Sequence, residues 1–95
     1  MFCVTPEIYG RVAEIIADRL GQTDYLSEDF EFEADGVLCR LLFSAVVYRK
    51  ILYVPEGEFD VLSDLVPVWW EFHTFDAEGE MLNDFSFNEL RQYFN

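Results

Sequence analysis

The sequence predicts an α+β domain: an N-terminal helix packed on an antiparallel meander sheet of three to five strands, closed by a short C-terminal helix. Three observations carry this reading. Apolar residues recur at helical spacing through the first twenty positions, strict alternation runs into a tight-turn dipeptide at Asp35-Gly36, and a capping signature at Ser86 precedes the last apolar residues. Ninety-five residues leave no room for a second core, so residues 1–95 form a single domain.

Thr5-Pro6-Glu7 combines an N-cap candidate, a proline suited to the first helical position and an acid near the positive end of the helix dipole. Ile8, Val12, Ile15, Ile16 and Leu20 then form one apolar face, and Gly21 is the stop. Glu7 and Arg11 stand four apart, the spacing of a surface ion pair.

From Leu26 to Ala34 the chain alternates, with Leu26, Phe30 and Phe32 opposed to Ser27, Asp29, Glu31 and Glu33. A two-residue turn at Asp35-Gly36 pairs Ala34 with Val37, Phe32 with Cys39 and Phe30 with Leu41. Each pair is apolar on apolar, so turn and pattern specify one register. The next strand starts at Val37 and stays apolar on both faces to Tyr48, as a central strand does. Arg49-Lys50 punctuates it, and the pattern leaves open whether Ile51–Val54 continues the strand. Residues 55–58 read as a loop, with a short strand or helical turn over Phe59–Leu65.

A further strand spans about Val66 to Phe75, with Val66, Val68, Trp70, Phe72 and Thr74 on one face. Pro67, Trp69, Glu71, His73 and Phe75 take the other. Asp76-Ala77-Glu78-Gly79 turns it back onto a strand from Glu80 to Phe85. Ser86-Phe87-Asn88-Glu89 matches a capping box, and Leu90, Tyr93 and Phe94 face one side of the last helix.

The charge is lopsided. The chain carries 19 Asp+Glu against 6 Lys+Arg, a formal charge of -13, and between Ile51 and Leu90 it has acids but no Lys or Arg. With 52% hydrophobic and 18% aromatic residues it is nonetheless a core-forming sequence rather than a disordered acidic tail. Such a coat repels nucleic acid and anionic lipid, which excludes direct nucleic-acid binding and favours a basic protein partner. No stretch approaches the ~20 apolar residues of a membrane span, and the N-terminus lacks the basic start and apolar run of a secretion signal. A cytoplasmic location is the expectation.

Chemistry-bearing patterns are sparse. Cys3 reads as a free thiol and Cys39 as a buried small hydrophobe, without a CxxC motif. One histidine and two separated cysteines do not assemble a zinc site, the acids around Gly79 do not follow a calcium loop, and no glycine loop cradles phosphate. No catalytic residue, cofactor or metal is therefore assigned, and the chain is read as non-enzymatic. Trp69-Trp70 is the informative pair, because neighbouring strand residues point to opposite faces and only one ring enters the main core. The terminal helix is the expected cover for the second ring. Trp69, with Glu71, His73 and Phe75 on its face, also has the aromatic-plus-charge makeup of a contact surface.

Val68-Trp69-Trp70-Glu71-Phe72-His73-Thr74, followed by Leu82-Asn83-Asp84-Phe85-Ser86-Phe87, resembles the C-terminal part of small uncharacterised acidic proteins carried on mobile elements of gut anaerobic bacteria. The resemblance covers the last third of the chain, contains no catalytic motif and transfers no functional residue. It implies a context of accessory, regulatory or anti-defence cargo.

The leading functional reading is an interaction protein whose carboxylates cluster on one outward face and dock a basic partner, in its sharper form as a nucleic-acid mimic. Its candidate contacts are Asp29, Glu31, Glu33, Trp69, Glu71, His73 and Phe75. A homodimeric structural protein and a small ligand-binding domain or enzyme using His73 and Glu71 are the rival readings.

Overall fold

The computed structural model describes residues 1–94 and has the α+β architecture expected. Helix α1 (Pro6–Leu20) is followed by β1 (Tyr25–Ala34), β2 (Val37–Val54), β3 (Gly57–Asp76) and β4 (Gly79–Met81), and then by α2 (Phe87–Arg91), whose end tightens into a 3-10 turn, Gln92–Phe94. The strands form one antiparallel meander in the order β1-β2-β3-β4.

The N-terminal signals act as read. The Thr5 side chain accepts from the Ile8 amide at 3.4 Å, and Gly21 ends the helix with a positive φ of 54°. Arg11 does not pair with Glu7. Its guanidinium lies over the Phe32 ring, 5.2 Å from the centroid, and donates to the Glu33 carbonyl, so it ties α1 to β1 instead. Arg19 does the same two turns later, over Phe30 and 3.0 Å from Glu28.

The first hairpin has the expected register, Ala34 to Val37, Phe32 to Cys39 and Phe30 to Leu41. Asp35 and Gly36 both take positive φ, 53° and 77°, as a turn matched to the strand twist requires.

β2 and β3 are much longer than the sequence suggested. Arg49-Lys50 does not end β2, which continues to Val54. The loop expected at 55–58 shrinks to Pro55-Glu56, with Gly57 and Glu58 already in β3. The ladder pairing Lys50 with Val61 and Leu52 with Phe59 sustains the extended backbone through polar punctuation. Two irregularities re-aim β3, one between the Ser44–Trp69 and Ala45–Pro67 pairs and one between the Tyr48–Asp64 and Arg49–Leu62 pairs. The first leaves Val68 as an extra residue, so Val66 joins the face of Val46, opposite to Trp70, and Pro67 pairs with buried Ala45. The last strand stops at Met81 rather than reaching Phe85. From there residues 82–84 run beside the N-terminus, where the Phe2 amide donates to the Leu82 carbonyl at 2.7 Å and Val4 donates to Asp84 Oδ1 at 2.7 Å. Ser86 occupies the N-cap position, but its side chain makes no capping hydrogen bond. Its amide instead donates to the Tyr9 hydroxyl at 3.0 Å, and burial raises the pKa of that phenol.

One core lies between the sheet and the two helices. Val12 and Ile16 of α1 meet Leu41, Phe43 and Phe72 of the sheet, with Phe85, Phe87 and Leu90 sealing the C-terminal end. Phe85 stacks on Phe72 at 4.2 Å and Trp70 meets its edge at 5.4 Å. Buried Thr74 donates to the Met81 carbonyl at 2.8 Å, and Asn83 bridges the Phe72 carbonyl and the Phe85 amide, so these polar groups are satisfied. Cys39 is buried and free, its thiol pushed up to about 11 by burial, and Cys3 is exposed and free. Arg91 on α2 holds Asp64 of β3 through bonds of 3.1 and 2.6 Å.

Beyond Val47 and Leu62 the β2–β3 hairpin leaves the core. The resulting arm helps make the molecule 54 Å long but only 23 and 18 Å across. It is braced at its root by Arg49, whose Nη2 donates to the Gly21 and Thr23 carbonyls at 2.8 and 3.0 Å. The Arg49 Nε has no acceptor although it is buried.

Candidate functional site

Alternation puts the core residues Phe30, Phe32, Cys39, Leu41, Phe43, Phe72 and Thr74 on the helix side of the sheet. The intervening residues face away from both helices. Their register forms rows across β1, β2 and β3: Glu33–Leu38–Phe75, Glu31–Arg40–His73, Asp29–Leu42–Glu71 and Ser27–Ser44–Trp69. All seven candidate contact residues therefore lie on this one open face. Leu38 and Leu42 belong to it too. Their apolar character had read as a second buried face, whereas Leu38 is exposed.

The two tryptophans separate as strand geometry demands. Trp70 turns toward Phe85 and Phe87 on the helix side, and Trp69 stands on the open face, 47% exposed. The cover expected from the terminal helix goes to Trp70 and only in part, since that ring is still 38% exposed. Beside Trp69 is a shallow depression of about 280 Å³ lined by Leu42, Asp29 and the Ser27–Ser44 pair, whose hydroxyl oxygens are 2.6 Å apart.

Arg40 is the basic residue of these rows. It makes a forked contact to Asp29, 2.9 Å from Nε and 2.7 Å from Nη2, and lies 4.0 Å from Glu31. That fork holds the Asp29 carboxyl below its usual range and raises the guanidinium pKa. His73 turns its Nδ1 to Glu80 at 2.8 Å rather than to Glu71, so the two residues imagined as a proton-transfer pair are not joined. Glu33 and Glu71 make no ion pair among the described residues.

Carboxylates are not confined to this face, contrary to the clustering the sequence suggested. Glu7, Glu14 and Asp18 are exposed on α1, and Asp35, Glu56 and Glu78 are exposed in turns. On the open face the carboxylates stand in rows beside aromatic and aliphatic surface. Among the described residues no group of three or more His, Cys, Asp or Glu is placed to hold a metal ion, and no helix is long and apolar enough to cross a membrane.

Sequence reasoning missed the arm. Tyr48, Ile51, Leu52, Tyr53 and Phe59 are all exposed there. The available signal was the apolar character of Ile51–Val54 next to a turn, which does not by itself say whether a strand will be covered.

Comparison with known protein families, with characterised proteins and with solved structures finds no match to the chain.

Proposed function

We propose that this protein is a non-enzymatic docking module that engages a basic protein partner through the open face of its sheet. The observation that carries this reading is the row structure. Asp29, Glu31, Glu33 and Glu71 share the face with a single guanidinium, with exposed Trp69 and with half-buried Leu42 and Phe75. A Lys or Arg from a partner would lay its apolar stem on Leu42 and Trp69 and set its charge beside Glu71. The chain's own arginines are already committed, all five making hydrogen bonds to its carboxylates or carbonyl oxygens, and Lys50 lies on the arm beyond these rows. The acidic coat elsewhere serves solubility and steers basic partners inward.

The test is capture of partners from cell extract on immobilised protein, comparing wild type with Trp69→Ala and Glu71→Lys. A basic protein held at low salt, released at roughly 0.5 M salt and lost in both variants is the expected result. A partner retained by both variants, or binding indifferent to ionic strength, would refute the reading. In the mimicry form the carboxylates stand in for phosphates, and duplex DNA then displaces the same partner.

A further inference from the structure

The arm points to a second surface, independent of the open face. β1 flanks β2 only as far as the Tyr25–Val46 pair, after which the Val47 amide donates to the Asp24 carbonyl at 2.9 Å. From Tyr48 to Val54 the side of β2 opposite β3 has no neighbouring strand. Hydrogen-bonding direction alternates along a strand, so the amides and carbonyls of Arg49, Ile51 and Tyr53 follow Val47 and face this vacant lane.

The two edges of the arm differ. On the arm, β3 carries devices that blunt an edge, the acids Glu58 and Asp60 and the irregularity at Ser63, and in the body Pro67 and the irregularity at Val68 add to them. The β2 edge has no proline and no bulge, and beyond Lys50 it is wholly apolar, with Tyr53 70% exposed. A two-stranded ribbon with apolar side chains on both faces is marginal in water and gains from further strands.

We propose that the vacant lane is filled by the same segment of a second copy, β2 against β2 in antiparallel fashion about a two-fold axis at Ile51. The lane-facing residues are symmetric about that position, so Ile51 meets Ile51 and Arg49 meets Tyr53 in hydrogen-bonded pairs. On the intervening positions Lys50 falls beside Leu52 and Tyr48 beside Val54. No carboxylate faces another across the seam, and Tyr53 of the second copy falls on the same face as the Arg49 side chain, whose guanidinium stays on the Gly21 and Thr23 carbonyls. The product is a four-stranded ribbon, β3-β2-β2-β3, that satisfies the free backbone groups of both arms.

Charge favours this copy-to-copy contact over one between open faces. The seam leaves the acidic bodies at opposite ends, with their Val47 residues roughly 25 Å apart at ~3.3 Å per residue. That exceeds the ~8 Å screening length of physiological salt. Open face against open face would instead press Asp29, Glu31, Glu33 and Glu71 against their own copies. The arm side chains Tyr48, Ile51, Leu52 and Tyr53 expose on the order of 500 Å² per copy, below the ~800 Å² of a standard interface. The pairing is accordingly a weak one, in a roughly micromolar range.

Sedimentation of the full chain from about 1 to 500 µM, a range chosen to span that affinity, tests the proposal. The expected result is a shift from the 11.2 kDa monomer to twice that mass. Ile51→Pro deletes an outward amide without touching the β2–β3 ladder, and Ile51→Lys charges the edge. Each should weaken association by at least ~100-fold with an unchanged circular dichroism spectrum, while Trp69→Ala leaves it intact. In a Cys3→Ser background, Ile51→Cys should oxidise to a disulfide-linked dimer, since a hydrogen-bonded pair places its Cα atoms ~5.5 Å apart. A wild type that stays monomeric at 500 µM overturns the proposal. So does a dimer indifferent to both Ile51 substitutions, or one abolished by Trp69→Ala.

Discussion

Strands β2 and β3 pass through two environments, and the contrast between them explains most of the molecule. In the body, from Leu38 to Val47, β2 has β1 on one side, β3 on the other and α1 across one face, so Cys39, Leu41, Phe43 and Ala45 are buried. In the arm, from Tyr48 to Val54, the same strand keeps only β3, and chemically similar residues are exposed. Composition does not distinguish the two stretches; the reach of α1 and β1 does. A strand's apolar content therefore reports what it can cover, whereas the neighbouring elements decide what it does cover.

The sharpest way to break the comparison is to delete the same side chain on each side of it. Phe43→Ala should cost about 3–5 kcal/mol, because the ring is fully buried against Phe87 and the site cannot collapse around the loss. Phe59→Ala in the arm should change global stability by no more than ~0.5 kcal/mol in dilute solution. Denaturant melts of both variants check the pair. Near-equal losses would mean that the arm is packed as tightly as the body.

A smaller effect probes the body's dryness. Cys39→Ser places a hydroxyl where the thiol now has only a long 3.8 Å contact to the Val37 carbonyl, and should cost ~1–3 kcal/mol. The same burial holds the thiol at about 11, so intact protein should leave Cys39 unlabelled by thiol reagents at neutral pH, while Cys3 reacts.

The smallest effect concerns the clamp beside the junction of body and arm. Arg91 holds the Asp64 carboxyl below its ordinary value, so the unfolded state binds the proton more readily. The contribution is present in full above about pH 4 and disappears as pH falls through the lower folded-state value. Asp64→Asn should lower stability at neutral pH by less than ~1 kcal/mol, as both partners are about a third exposed, and the two stability curves should converge in acid.

The sequence made the body legible and the arm nearly invisible, for one physical reason. α1 and the Asp35-Gly36 hairpin are specified by neighbours a few residues away, through caps, turns and periodicity. The hairpin register was readable because an error of one residue would have turned Phe30 and Phe32 to solvent. β2 and β3 are held over their full length by pairing across the sheet, so Arg49-Lys50 looked like a boundary and was not one. The face assignment of Val66 failed at the Val68 irregularity, which only the partner strand reveals. The seven candidate contacts were found together because alternation survives in β1 and in the distal half of β3. Leu38 and Leu42 were missed because an exposed or half-buried apolar residue reads like a buried one.

The adjacent indoles supply a built-in optical ruler. Trp70 emits from among phenylalanine rings, and Trp69 emits from beside the serine pair on the outer surface. A Trp69→Phe protein would report loss of the ring contacts to Phe85 and Phe87 on the helix side, where Trp70 keeps 38% of its surface exposed, and a Trp70→Phe protein would light up arrivals at the outer sheet. One peptide bond thus separates a thermometer of the fold from a doorbell for its visitors.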